Sequence, residues 1–127
     1  MSKTVIQTQH APKAIGTYSQ GIIFHNLVFA SGQIPINPEN GKLVENDFKL
    51  EVHQVLKNLN AVLSKGGSSL QSAIKITVFL TDLSLFPQLN EVFNNYFPKD
   101  PPARSSVQVS ALPMNVRIEI EAIGFIK

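Results

Sequence analysis

Arginine is scarce in this chain, with Arg104 and Arg117 the only two among 127 residues. Arg104 stands in PPARSSVQVS, directly after Pro101, Pro102 and Ala103, and the locked proline φ angles narrow how far the entrance of a following strand can wander. A guanidinium held in this way suits a carboxylate, because its planar fork donates two parallel hydrogen bonds to the two oxygens. The plainer alternative is an exposed arginine at a strand end. Further on, in VRIEIEA, the residues Arg117, Glu119 and Glu121 alternate with Val116, Ile118, Ile120 and Ala122, so the three charged groups share one face of a strand. A glutamate there can orient a water molecule. The alternative is a solvated strip in which Arg117 pairs with Glu119.

Other chemistries find less to work with. His10, His25 and His53 lie far apart without metal-ligand spacing, so no metal site is expected. Gly66-Gly67-Ser68-Ser69 follows a helical segment rather than a strand, which reads as a helix terminus and not a phosphate loop. With no cysteine there is no thiol nucleophile and no disulfide. The net charge is +2 with lysines scattered singly, and Phe79, Phe86, Phe93, Tyr96 and Phe97 fall at core spacing without basic residues between them. Nucleic-acid binding is therefore not expected. The N-terminus carries no apolar run of the signal-peptide kind, and no segment approaches a membrane span of roughly 20 apolar residues. These features point to a cytoplasmic protein with no membrane partner and no cofactor.

The elements that must position Arg104 and Glu119 follow from periodicity. No repeat or composition break divides residues 1–127, which read as a single domain, with Pro35 to Gly41 an internal loop. Residues 21–33, GIIFHNLVFASGQ, form a hairpin around His25-Asn26, after a short strand at Thr4 to Thr8. Val52, Val55, Leu56, Leu59, Val62 and Leu63 recur at helical spacing between Phe48 and Ser64, and Gly66-Gly67 stops that helix. In IKITVFLT, Ile74, Ile76, Val78 and Leu80 share one strand face. Phe86, Leu89, Val92, Phe93 and Tyr96 mark a second helix that admits Pro87 in its first turn and ends before Pro98. Strands over about 104–109 and 116–125 complete the order β-β-β-α-β-α-β-β.

That order predicts an α+β fold, a mixed β-sheet with two helices packed on one face. The runs IIF and LVFA place bulky apolar groups on both faces of the hairpin, so the face bearing Ile23, Leu27 and Phe29, or its opposite, stays uncovered within one chain. An apolar face of that kind implies a homo-oligomer whose sheets pack on one another, with sites between subunits.

The stretch PPARSSVQVSALPMNVRIEIEA closely resembles the C-terminal signature of the RidA/YjgF family of imine deaminases. It is joined by AIGTYSQG at 14–21, ASGQIP at 30–35 and TVFLTDLSLFPQLNEVFNNYF at 77–97, so the resemblance covers nearly the whole chain. It implies a chorismate-mutase-like subunit and a homotrimer with clefts at the subunit interfaces. The implied reaction is hydrolysis of 2-iminopropanoate or 2-iminobutanoate, released by pyridoxal-phosphate-dependent serine or threonine dehydratases, to a 2-oxo acid and ammonia. Such a substrate needs a fixed cation for its carboxylate, which Arg104 offers, and an oriented water for its C=N carbon. The family pattern singles out Glu119, the first glutamate of IEIEA, for the water. By the same comparison Tyr18, Ser31, Gly32, Asn90 and Ser106 line the cleft. The alternative within the family is a metabolite-sensing or RNA-acting protein without deaminase turnover. Two positions depart from the common pattern: Thr17 where proline often precedes the tyrosine, and Ser106 where many members carry cysteine, which puts any thiol-dependent behaviour in doubt.

Overall fold

The computed structural model describes residues 2–127. The elements run β1 (Thr4–Ile6), β2 (Gly21–Phe24), β3 (Leu27–Gln33), β4 (Ile36–Asn37), β5 (Lys42–Leu43), α1 (Phe48–Lys65), β6 (Ala73–Leu80), α2 (Phe86–Tyr96), β7 (Ala103–Gln108) and β8 (Ile118–Phe125). Six strands form one mixed sheet in the order β1-β2-β3-β8-β6-β7. Every pairing in it is antiparallel except that of β6 with the edge strand β7, which α2 connects in parallel.

α1 begins where Asp47 accepts a hydrogen bond from Leu50 N at 3.2 Å, which satisfies one of the orphan donors of the first turn. Its stripe of Val52, Val55, Leu56, Leu59, Val62 and Leu63 is wholly buried. That stripe packs on the sheet face formed by Val28, Ala30, Ile76, Val78, Leu80, Ile118, Ile120 and Ala122, and α2 adds Leu89, Val92 and Phe93 to the same core. At the end of α1, Gly66 lies so close to Ile6 and Val28 that a Cβ would stand 2.8–3.0 Å from their side chains, and Gly67 takes a left-handed φ of +91°.

Four features depart from the sequence reading. The strand of Thr4 to Thr8 ends at Ile6, because the buried Gln20 side chain captures the chain beyond it, taking Thr8 N and donating to Thr8 O and Pro12 O. The Pro35–Gly41 loop contains β4 and leads to its partner β5, closed by Asn37 and Asn40 side chains that accept from Glu39 N and Lys42 N and by Gly41 at φ +73°. Ile74 does not share the face of Ile76. The pairing of β6 with β8 slips between Ala73 and Lys75, and the extra residue, Ile74, is 45% exposed. Finally, the two-residue connection at His25-Asn26 pairs Ile23 with Val28, so Ile23 belongs to the helix side, while Leu27 and Phe29 lie on the other.

The uncovered face is apolar toward the hairpin. By register it carries Val5, Ile22, Phe24, Leu27, Phe29, Ile123 and Phe125, of which Val5 is 58% exposed.

Candidate functional site

Arg104 sits on the edge strand β7 opposite Ile76, which puts its side chain on the helix side of the sheet. There its guanidinium lies 5.2 Å from the Phe86 ring centre and 5.1 Å from that of Phe93, and Nη2 donates to Asn90 Oδ1 at 2.9 Å. Two rings and an amide from α2, rather than the prolines alone, therefore fix the fork. Partial burial lowers the Arg104 pKa, but a guanidinium stays protonated at any physiological pH. Beside it a cleft of about 370 Å³ is lined by Asn90, Phe93, Asn94, Phe97, Pro101, Pro102 and Arg104, within the size range of small-molecule sites. Ser106, two residues along β7, has a buried hydroxyl without a partner among the described residues.

Glu119 sits on β8 opposite Phe79, and its side chain points to the uncovered face. Its carboxylate packs on Gly32, where any Cβ would overlap it. The pairing of β3 with β8 shifts between Ala30 and Gln33, and this irregularity brings the backbone of Ser31 and Gly32 against Glu119. Burial, with the charge of Glu121 adding to it, raises the Glu119 pKa above the usual carboxylate value. Ser31 Oγ donates to Ser19 O at 2.6 Å, which ties β3 to the loop carrying Tyr18. Tyr18 is exposed, and its hydroxyl accepts from Ile15 N at 3.3 Å.

The candidate residues thus fall into two groups. Arg104, Asn90 and Ser106 gather around α2 and β7, and Glu119, Gly32, Ser31 and Tyr18 gather around β3 and β8. The register places Arg104 and Glu119 on opposite faces of the same sheet. Arg117 does not pair with Glu119 either. The chain bends at Arg117, and its guanidinium reaches the buried carboxylate of Glu51 on α1, with Nε donating to Oε1 at 3.1 Å and Nη2 to Oε2. Glu51 and Gln20 went unmarked in the sequence. The position of Glu51 within the apolar helical stripe, between Phe48 and Val52, was the available signal for the first. Among the described residues no cluster of His, Asp or Glu could hold a metal ion, and no helix is long and apolar enough to cross a membrane.

Residues 8–126 match the family model described as Endoribonuclease L-PSP. The chain is 48% identical over 125 residues to a RutC family protein of Pyrococcus abyssi, with 98% of each covered. It is 43% identical over 122 residues to a 2-iminobutanoate/2-iminopropanoate deaminase of Rattus norvegicus, covering 96% of this chain and 89% of that one. Among solved structures, E. coli TdcF with bound serine superposes with a TM-score of 0.92 at 42% identity, covering 98% of this chain and 99% of that one. The chain belongs to the RidA/YjgF family.

Proposed function

We propose that this protein hydrolyses 2-iminopropanoate and 2-iminobutanoate to their 2-oxo acids and ammonia, in clefts shared between the chains of a homotrimer. The observation that carries this reading is the Arg104 guanidinium, clamped between Phe86 and Phe93 and turned by Asn90 toward a small cleft. A rigid fork of this kind binds the substrate carboxylate bidentately and sets the adjacent C=N carbon at a fixed distance. The uncovered sheet face fits the assembly, since Arg104 lies on the edge strand β7, where a neighbouring copy packed across that face and around the edge would bring its own Glu119, Gly32, Ser31 and Tyr18 to the Arg104 cleft.

In the reaction, Glu119 accepts a proton from water as its oxygen bonds to the imine carbon and the C=N π electrons move to nitrogen. The carboxyl group returns that proton to the nitrogen, which gives a carbinolamine, and the carboxylate then carries the hydroxyl proton to the nitrogen as the C=O bond forms and the C–N bond breaks. Ammonia and a 2-oxo acid result, and no covalent bond to the protein is needed. A raised pKa suits this exchange, because the group must take and give a proton near neutral pH.

The test is a coupled assay with a serine or threonine dehydratase, following loss of the imine and appearance of 2-oxo acid. Adding the protein should accelerate release, and Arg104→Ala should abolish the acceleration while still folding, with a cooperative melting transition. Unchanged kinetics, together with RNA cleavage by the purified protein, would replace this reading with the RNA-acting one.

A further inference from the structure

The Arg117 guanidinium turns away from the acidic pair that follows it. It leaves the mouth of β8 for the first turn of α1, where Glu51 takes both of its hydrogen bonds and the Phe48 ring centre lies 5.4 Å away. Glu51 is only 4% exposed, so this carboxylate has left water for one bidentate partner. Strand alternation by itself would set Arg117 and Glu119 on the same side, about 6.6 Å apart along the backbone. That gap is within reach of an arginine side chain. The chain instead bends at Arg117, just after Met114 and Asn115 adopt left-handed φ angles of 55° and 60°.

We propose that Glu51 is a positioning residue for the cleft: its carboxylate holds Arg117 on α1, so that Glu119 meets the substrate without a cation beside it. The surroundings of Glu119 make this hold matter. On β8 its charged neighbours are Arg117 and Glu121. From β3 it meets Ser31 and Gly32, and from β6 Phe79, with Thr77 next along that strand, none of them charged. Lys75 lies further along β6 and donates to Ser105 Oγ at 3.1 Å. On the Arg117 side, Asp47 adds its negative charge to that of Glu51. Released from Glu51, the Arg117 side chain could close that gap and stabilise ionised Glu119, and an opposite charge within about 4–6 Å lowers a carboxyl pKa by about one to three pH units. Glu119 would become a poorer base at neutral pH.

This rests on the deaminase reading only for its effect on turnover. The titration of Glu119 is read directly, by carbon-13 NMR of the labelled glutamate side chains, with Glu119→Gln assigning the resonance. In Glu51→Ala the Glu119 midpoint should fall by about one pH unit or more, and in Glu51→Ala/Arg117→Ala it should return to the wild-type value. The acid limb of the imine-hydrolysis profile should move with it, with KM little changed. A midpoint that stays put in folded Glu51→Ala, or that falls equally in the double variant, overturns the proposal. Should Glu51→Ala not fold, Glu51→Gln, which keeps the shape and drops the charge, takes its place under the same criteria. A shifted midpoint in a protein that hydrolyses no imine would refute the deaminase reading and leave the positioning role standing. Active protein with an unshifted midpoint would do the reverse.

Discussion

Removing the charge of Glu119 should act on rate and stability in opposite directions. In the proposed role of general acid and base, Glu119 would be worth on the order of 10²- to 10⁴-fold, so Glu119→Gln should lose that much in kcat, with KM for the imine nearly unchanged. The same carboxylate is a burden on the fold. Burial and the charge of Glu121 raise its folded pKa above its unfolded value, so between those two values the native state binds the proton more tightly. Stability therefore declines as pH rises through that window and stays reduced above it. Glu119→Gln removes the burden, so its melting temperature should exceed that of the wild type at neutral pH, and the gap should close below about pH 4, where both forms are uncharged. A variant that is slower and no more stable at neutral pH would mean that Glu119 is not strained in the native state.

The helices were legible in the sequence because each carries its signal locally. The Val52 to Leu63 stripe and the Asp47 cap lie within one segment, and tertiary contacts reinforce what the periodicity states. Strand faces were legible only where pairing is regular. Ile74 alternates correctly in sequence, and only the slipped register against Gly124 pushes it outward. β4 and β5 span two residues each, too short for any period, and they are held from afar by Asn58 of α1, whose Nδ2 donates to Ile34 O at 3.2 Å and Ile36 O at 2.9 Å. Asn58 is nearly fully buried, and Gln54 donates to its side-chain oxygen. Asn58→Ala would take the amide donor from Ile36 O and leave Ile34 O only the Ile36 N donor at 2.8 Å, and should cost about 1–3 kcal/mol, read as a lower urea midpoint with an unchanged m-value. The candidate site followed the same rule. Arg104 and Glu119 were visible as residue types at strand positions and through resemblance to a family, whereas Glu51 meets Arg117 across 66 residues of chain, beyond any local pattern.

One chain cannot bring Arg104 and Glu119 to a single substrate, since the sheet itself stands between them. The uncovered face bearing Phe24, Phe29 and Phe125 gives a second copy somewhere to pack, and apolar surface of that extent favours association. In a ring of three chains each cleft would take Arg104 from one chain and Glu119 from its neighbour. Complementation tests this arrangement. If the chain forms the proposed ring, Arg104→Ala and Glu119→Gln should each be inactive alone, because every cleft lacks one group. Co-expressed in equal amounts they would form mixed rings, in which a cleft works when the arginine side comes from a Glu119→Gln chain and the glutamate side from an Arg104→Ala chain. With random assortment each condition holds half the time, so about a quarter of the clefts, and about a quarter of wild-type activity, should return. If both groups served one cleft from a single chain, every cleft in the mixed rings would still lack one of them. Activity would then stay at the level of the inactive parents, and the shared-cleft geometry would have to be abandoned.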